Sequence, residues 1–479
     1  MSGSQWAGVA HCGALSSVPD TETSRSAGPR RARPALRPST IVQRLDSPGK
    51  DSNLDNKIAH AILLSLLCGA CGGATPAPPE HREAMEQGSA AGARAGSELP
   101  AHVRRAFEQE LEPQHVHPIE SKDGKLRARL EASSQPTVTR SDEAYMLVAP
   151  LAGAPLRCFA WDGRMDPANT IRSLVSMTLE ASKSSGTLNG YQFEALASGL
   201  AGSIPYLYAR ALYTQAQDKG GDKLGQIQYL VAGGDVFSVG CVHDHPGLRT
   251  TFVRIAKGLV TSMESSLRGE EAGLRYREVF LIDSTGPFNG FAVARLNKKD
   301  DGGSMEWGFE STLMLGASQT LVAVDIVSWK RSNRNGEIVE ARFLKNLNGN
   351  TDYDLTLEAS KAGYGVKGSL KSKAYQTSLE LDDPLLDVVR VQALIRKKVL
   401  KEGQQLSVAQ YVPNVNPSAT VTMSMRRLER PQGQWNTRMQ IADIAHKARL
   451  DAQGMLERAQ LPLGPITLEV KRGWLHGTL

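Results

Sequence analysis

From residue 275 to the end, apolar and polar positions alternate in short runs separated by turn residues. Alternation with a period of two predicts half-buried strands. The runs are Val279 to Ile282, Gly290 to Leu296, Leu321 to Lys330, Ile338 to Leu344, Asp354 to Glu358, Ala374 to Leu381, Gln405 to Tyr411, Ala419 to Leu428, Trp435 to Ala442 and Ile466 to Val470. Arg334-Asn335-Gly336-Glu337 predicts a two-residue hairpin, because Asn-Gly accepts positive φ. Asp451-Ala452-Gln453-Gly454 predicts a second turn. One helical stretch interrupts the pattern, from Leu385 to Lys401, opened by Asp383-Pro384 and closed by Gly403.

Residues 142–270 mix the two periods. Strand signals fall at Tyr145 to Val148, Leu156 to Trp161, Tyr191 to Ala197, Tyr206 to Thr214, Gly225 to Val231 and Val236 to Val242. Pro167-Ala168-Asn169-Thr170 opens a helix with Ile171, Leu174, Val175 and Leu179 on one face. Leu248 to Leu267 repeats that pattern through Phe252, Ile255, Leu259, Val260 and Met263. Ahead of this unit, residues 98–141 predict a connector with a short helix, Leu99 to Leu111, and a strictly alternating strand, Leu126 to Glu131. The expected fold class is therefore α+β: an antiparallel α/β sandwich at 142–270, then a mainly-β domain at 275–479.

The stretch Asn56 to Gly73 departs from both periods. Lys57 precedes the apolar run Ile58 to Leu67, and Gly69-Ala70 stands before Cys71. Charge, apolar core and small residues in this order read as a secretory signal. The run is too short to cross a bilayer, which takes about 20 apolar residues. It resembles a bacterial lipoprotein signal peptide at 56–70, and the resemblance implies lipidation of Cys71 as the first mature residue. Cys68 departs from that pattern, since Leu is usual there, and Leu66-Leu67 precede it where small residues are needed. Residues 1–55, rich in Ser, Arg and Pro, read as a disordered leader. Either the start lies further downstream or the leader is a long n-region. Residues 71–97, rich in Pro and then Gly, Ala and Ser, predict a flexible tether.

The order of elements at 142–270 resembles the Mog1/PsbP-like α/β sandwiches, whose members are mostly binding or assembly factors. The later portion resembles the β-rich domain that precedes transglutaminase-like domains in bacterial envelope proteins. Its matching residues are the Asn335-Gly336-Glu337-Ile338 hairpin, Pro384-Leu385-Leu386-Asp387-Val388-Val389, Glu402-Gly403-Gln404 before a strand ending Val412-Pro413, and Leu450-Asp451-Ala452-Gln453-Gly454. The chain departs from that arrangement in carrying no catalytic domain after it, and no thiol stands in the context that the activity needs.

Charge narrows the partners. The chain carries +6, but the first 70 residues hold 8 of the Lys/Arg and 5 of the Asp/Glu, leaving about +3 for the rest. That near-neutral remainder argues against nucleic acid. Of the five cysteines, Cys158 and Cys241 belong to the folded part, in a compartment that permits disulfides. A disulfide between them and two buried thiols are both open readings. Cys241-Val242-His243-Asp244-His245 is the most site-like cluster: on a strand Cys241, His243 and His245 share a face, and thiolate with imidazoles suits zinc. The alternative is a strand end turning into the next helix. Gly363-Tyr364-Gly365-Val366-Lys367-Gly368 spells a dinucleotide fingerprint without its strand–turn–helix context. Asp283-Ser284-Thr285-Gly286 reads as a turn, and His115-Val116-His117 as an exposed loop. The sequence thus predicts no catalytic residue, no cofactor and no nucleotide. It predicts a non-enzymatic envelope lipoprotein, held at the membrane by its lipid, bound for the outer membrane, with an envelope protein as partner. A carrier of lipid or another apolar ligand in the β-rich domain is one alternative. A metal-dependent enzyme built on Cys241, His243 and His245 is another.

Overall fold

The alternating stretches are strands, and there are more of them than the sequence pattern marks. The computed structural model describes residues 101–479, apart from 142–143, 164, 185–187, 217–221, 234–236, 268–273, 285–287, 300, 317–319, 443, 464–465 and 478. Leader, signal stretch, Cys71 and tether lie outside the described residues. Helix α1 is Ala101–Glu108, followed by β1 His115–Glu120, β2 Arg127–Ala132, β3 Thr137–Arg140, β4 Ala144–Leu151 and β5 Ala154–Asp162. Then come α2 Pro167–Ser184, β6 Leu188–Ala201, β7 Ile204–Ala216, β8 Asp222–Gly233, β9 Phe237–Asp244 and α3 Arg249–Leu267. The remaining strands are β10 Leu274–Ser284, β11 Phe288–Lys298, β12 Ser304–Leu315, β13 Leu321–Ser332, β14 Ile338–Leu347, β15 Asn350–Ser360, β16 Gly363–Leu370 and β17 Lys373–Glu380. Helix α4 Val388–Leu394 runs straight into a π-helical segment, Ile395–Lys401. The chain ends with β18 Leu406–Tyr411, β19 Thr420–Gln432, β20 Trp435–Ile441, β21 Ile444–Leu450, β22 Leu456–Leu463 and β23 Ile466–Gly477.

The α+β expectation is corrected here. Among the described residues 23 strands stand against four α-helices, and the architecture is mostly β with large antiparallel sheets. One physical reason lies in α2. The first sheet, ordered β3-β4-β5-β9-β8-β7-β6, has α3 on one face and α2 on the other. On the α2 side, however, Ile171, Leu174 and Leu207 share a single core with Phe291, Phe309, Leu313 and Ala323 of the second sheet. The first sheet and its helices therefore do not close off a sandwich of their own. Residues 98–141 also supply strands: β1 pairs with β2 over α3, and β3 joins the edge of the first sheet. His115 and His117 accordingly lie on β1 rather than in a loop, with His117 bonded to Gln135 and the Ala132 carbonyl.

The second sheet has fourteen strands, ordered β17 to β10, then β23 to β18. Every neighbouring pair is antiparallel, and the last strand of the chain returns to lie beside β10. The β18 end folds over toward the β14–β17 end: the hydroxyls of Tyr375 on β17 and Ser418 in the β18–β19 connection are 2.8 Å apart, and the rings of Phe343 on β14 and Tyr411 on β18 make an edge contact at 5.4 Å. The curved sheet is thus barrel-like. Helix α4 and the π-helix lie against its inner face, with Val391, Ile395 and Val399 packed among Phe280, Ile326, Met423 and Leu461.

Polar contacts fix that helix. Asp387 caps α4 by accepting from the Arg390 amide at 2.9 Å, and its other oxygen accepts from Ser304 and Ser332 at 2.8 and 2.7 Å. The Gly336 carbonyl accepts from the Asp387 amide at 2.8 Å. Gly336 lies at φ +76° while Asn335 does not share that conformation, and the Asn333 amide donates to the Glu337 carbonyl, so the turn is a three-residue loop in place of the expected two-residue hairpin. The Gln453 carbonyl, in the second turn, accepts from Gln392 and Arg396. The segments that carry the sequence resemblance in the β-rich portion therefore meet around one helix.

Candidate functional site

The inner face of the second sheet beneath α4 is where polar chemistry collects. Ladder register places its side chains in rows across the strands. One row runs Tyr276, Leu296, Glu306, Lys330, Ala341; the next, Glu278, Ala294, Gly308, Ser328, Phe343; the third, Phe280, Ala292, Glu310, Ile326, Lys345, Tyr353. Small residues fill the middle of this field. They leave a cavity with about 30 Å³ open to the centres of water-sized molecules. Phe280, Ala292, Ile326 and Val388 make its walls largely apolar, and Glu306, Glu310 and Ser328 also face it.

The carboxyls differ in their partners. Glu306 accepts from Lys330 Nζ at 2.7 Å through one oxygen, while its second oxygen has no protein partner. Glu310 is 1% exposed, and neither of its oxygens has a protein hydrogen-bond donor. Burial pushes its pKa up to about 8, against a smaller pull from Lys345. Glu278 is likewise pushed well up by burial, which outweighs the Tyr276 hydroxyl and Arg472 beside it. The basic groups nearby are engaged: Lys345 pairs with Asp352 at 3.0 Å and Arg472 with Asp451 at 3.1 Å. The Tyr353 hydroxyl is buried without a protein partner and feels the charge of Glu310. Buried polar groups are normally hydrogen-bonded. A partnerless carboxyl on a cavity wall can therefore offer its hydrogen bonds to whatever enters.

Glu310 also fixes a pH dependence. With a folded-state pKa near 8 against 4.5 for the ordinary group, the folded chain holds a proton that the unfolded chain has lost between those values. Stability from this group thus falls as pH rises through the window, and below it the penalty is absent. Glu310→Gln removes the titration. The variant should match the parent near pH 4.5 and exceed it by about 3 kcal/mol at pH 7, at 1.36 kcal/mol per pKa unit. Urea titrations at both pH values measure the difference; a variant less stable than the parent at pH 7 would contradict the assignment.

Of the residues singled out from sequence, Cys158, Cys241 and His243 lie in the first sheet. Cys158 and Cys241 are direct partners across β5 and β9, with Cα atoms 4.1 Å apart and their sulfurs bonded. His243 is buried beside them, with Nε2 3.1 Å from the Leu151 carbonyl, and burial lowers its pKa to about 4. His245 sits against His243 with ring centroids 5.9 Å apart, and its Nδ1 lies 2.7 Å from the Pro246 carbonyl. Cys241, His243 and His245 are thus neighbours, yet the Cys241 sulfur is committed to Cys158. Among the described residues no group of three or more His, Cys, Asp or Glu could hold a metal ion. The Gly363 to Gly368 stretch is strand β16, paired on both sides. Asp283 and Ser284 are the last two residues of β10, burial raises the Asp283 pKa, and Thr285-Gly286 lie outside the described residues. Glu278, Glu306, Glu310 and Lys330 were not marked by the sequence; the alternation Glu306-x-Gly308-x-Glu310 was the available signal.

No family model matches the chain, so neither the Mog1/PsbP-like nor the pre-transglutaminase resemblance gains support, and no curated protein matches it. Weakly similar solved structures include the following three. A β-barrel-like protein of the domain of unknown function DUF1849 from Brucella abortus is 13% identical, covers 42% of this chain and 97% of its own, and gives a TM-score of 0.34. A protein of the DUF1089 family from Pseudomonas aeruginosa is 13% identical over 36% of this chain and 89% of its own, at 0.20. The lipoprotein LppX of Mycobacterium tuberculosis is 12% identical over 43% and 89%, at 0.12.

Proposed function

We propose that this chain is a binding protein of the bacterial cell envelope, lipid-anchored at Cys71, and that it holds a ligand inside the fourteen-stranded sheet. The observation that supports it is Glu310: fully buried, without a protein donor, and on the wall of a cavity. A carboxyl in that position is costly to stability, and a ligand offering hydrogen bonds offsets the cost. Native mass spectrometry of the mature chain, purified from envelopes, tests the reading. A bound small molecule is expected, lost in the cavity-filling variant Ala294→Leu while circular dichroism stays unchanged. A parent chain that carries nothing, or a variant that carries as much, would contradict it.

The largely apolar walls favour a second reading, a carrier of lipid or another apolar ligand. Ligand pockets for such molecules run to about 300–1,000 Å³, so an acyl chain would enter only where α4 and the π-helix withdraw. Lipid recovered from the purified chain, rising when Asp387→Ala frees the helix cap, is the expected sign.

The anchor has its own test. Labelled fatty acid should enter the chain, and Cys71→Ala should abolish the label and leave the precursor uncut. Label that persists in the variant would move the anchor elsewhere.

A further inference from the structure

We infer that the cavity beside Glu310 is a site for a small primary ammonium group; this rests on the reading above that the sheet interior takes a ligand. Donor and acceptor balance favours an ammonium. The unsatisfied atoms facing the site are acceptors: both Glu310 oxygens and one Glu306 oxygen lack protein donors. An ammonium carries three donors and no acceptor.

Charge points the same way. Around Glu310 the ionisable groups are Glu306 on its own strand, Glu278 on β10, Lys330 and Asp325 on β13, Lys345 on β14 and Asp352 on β15, with Asp387 at the head of α4 and the neutral Tyr353 hydroxyl on β15. Lys330 and Lys345 are each held by a carboxylate of their own, Glu306 and Asp352. Asp325 adds negative charge, raising the Glu310 pKa further. Glu310 faces the cavity with neither a paired cation nor a protein donor, and a ligand cation supplies both.

Size and lining agree. A cavity of about 30 Å³ admits an ammonium with one methyl group. Phe280, Ala292, Ile326 and Val388 give that methyl apolar contacts. Gly308, between Glu306 and Glu310, adds no side chain; a Cβ there would come within 2.5 Å of Ser328 Oγ.

Binding carries a proton balance. The ammonium enters with its charge, Glu310 releases its proton to solvent, and no bond other than O–H breaks. Affinity should therefore rise about tenfold per pH unit while Glu310 is protonated in the free chain, levelling near pH 8.

Isothermal titration of the mature chain with methylammonium chloride tests this, run at pH 6, 7 and 8 (about the window set by Glu310) in two buffers of different ionisation heat. Saturable binding at one site is expected, with close to one proton released below pH 8. Tetramethylammonium, too large and without donors, should not bind. Glu310→Gln should abolish the heat with its circular dichroism unchanged, and Ala294→Leu should do so with the carboxyl intact. No saturable heat, pH-independent binding, or equal binding by Glu310→Gln would overturn the inference. A chain that brings an envelope molecule into native mass spectra yet ignores methylammonium overturns the inference while the broader reading stands.

Discussion

Asp325→Ala should lower stability by about 3 kcal/mol or more, since each buried donor left unpaired costs about 1–3 kcal/mol. Asp325 projects from the second sheet to the first turn of α2, which belongs to the first. It accepts from the Ala168 amide at 3.3 Å and from the Asn169 amide and side chain at 2.8 and 2.6 Å, and Ser311 donates to it as well. The opening N–H groups of a helix have no partner within the helix, so a carboxylate from another layer stands in as the cap. Alanine leaves the Asn169 amide and side chain buried without this acceptor, while the Ala168 amide keeps Ser311 Oγ at 2.9 Å. Burial, and then Asp166 nearby, raise the Asp325 pKa to about 7. Its contribution to stability therefore falls as pH rises from the ordinary value of 3.8 toward 7. Asp325→Asn, with the same shape and no titration, should lose less than alanine does. Urea midpoints at pH 6 compare the three chains; an alanine variant within about 1 kcal/mol of the parent would show that the sheets hold together without this cap.

Removing the Cys158–Cys241 link should cost about 4 kcal/mol by the chain-entropy model, because the loop it closes is long. The sequence separation is 83, and the two residues are direct partners on β5 and β9, in the core under α3. Their side chains are fully buried, with Phe252 and Leu259 in the same cluster. A Cys158→Ala, Cys241→Ala double variant tests the cost. Non-reducing peptide mapping of periplasmic protein tests the link itself, and two free thiols there would contradict it.

Part of this was legible in the sequence. The opening of α2 at Pro167 depends on local rules and lies where they put it, whereas the Asn335-Gly336 turn holds three residues in place of two and the later helix starts at Val388, capped by Asp387, in place of Leu385 after Asp383-Pro384. Strand β12 was not legible. Its inner positions are Glu306, Gly308, Glu310 and Thr312, and its outer positions include Trp307, Phe309 and Leu313. The outer residues face α2 and the first sheet instead of water, apart from Trp307, so alternation gives no clue to which face is the interior. The site sits on that strand, and the sequence left it unmarked. Asp325 is a non-local case: its partner Asn169 lies 156 residues away, and only the register of two sheets brings them together. The α+β expectation failed for the same reason. A helix with one apolar stripe reads as the cover of one sheet, and α2 is wedged between two.

The central claim, that Glu310 is a buried carboxyl facing a ligand cavity without a protein partner, is tested most directly by carbon NMR of a chain labelled at its glutamate carboxyls. A resonance assigned by its absence in Glu310→Gln should titrate near pH 8 and stay in its ionised position once a ligand is bound. The same resonance titrating at the ordinary value of 4.5, with or without ligand, would contradict the account.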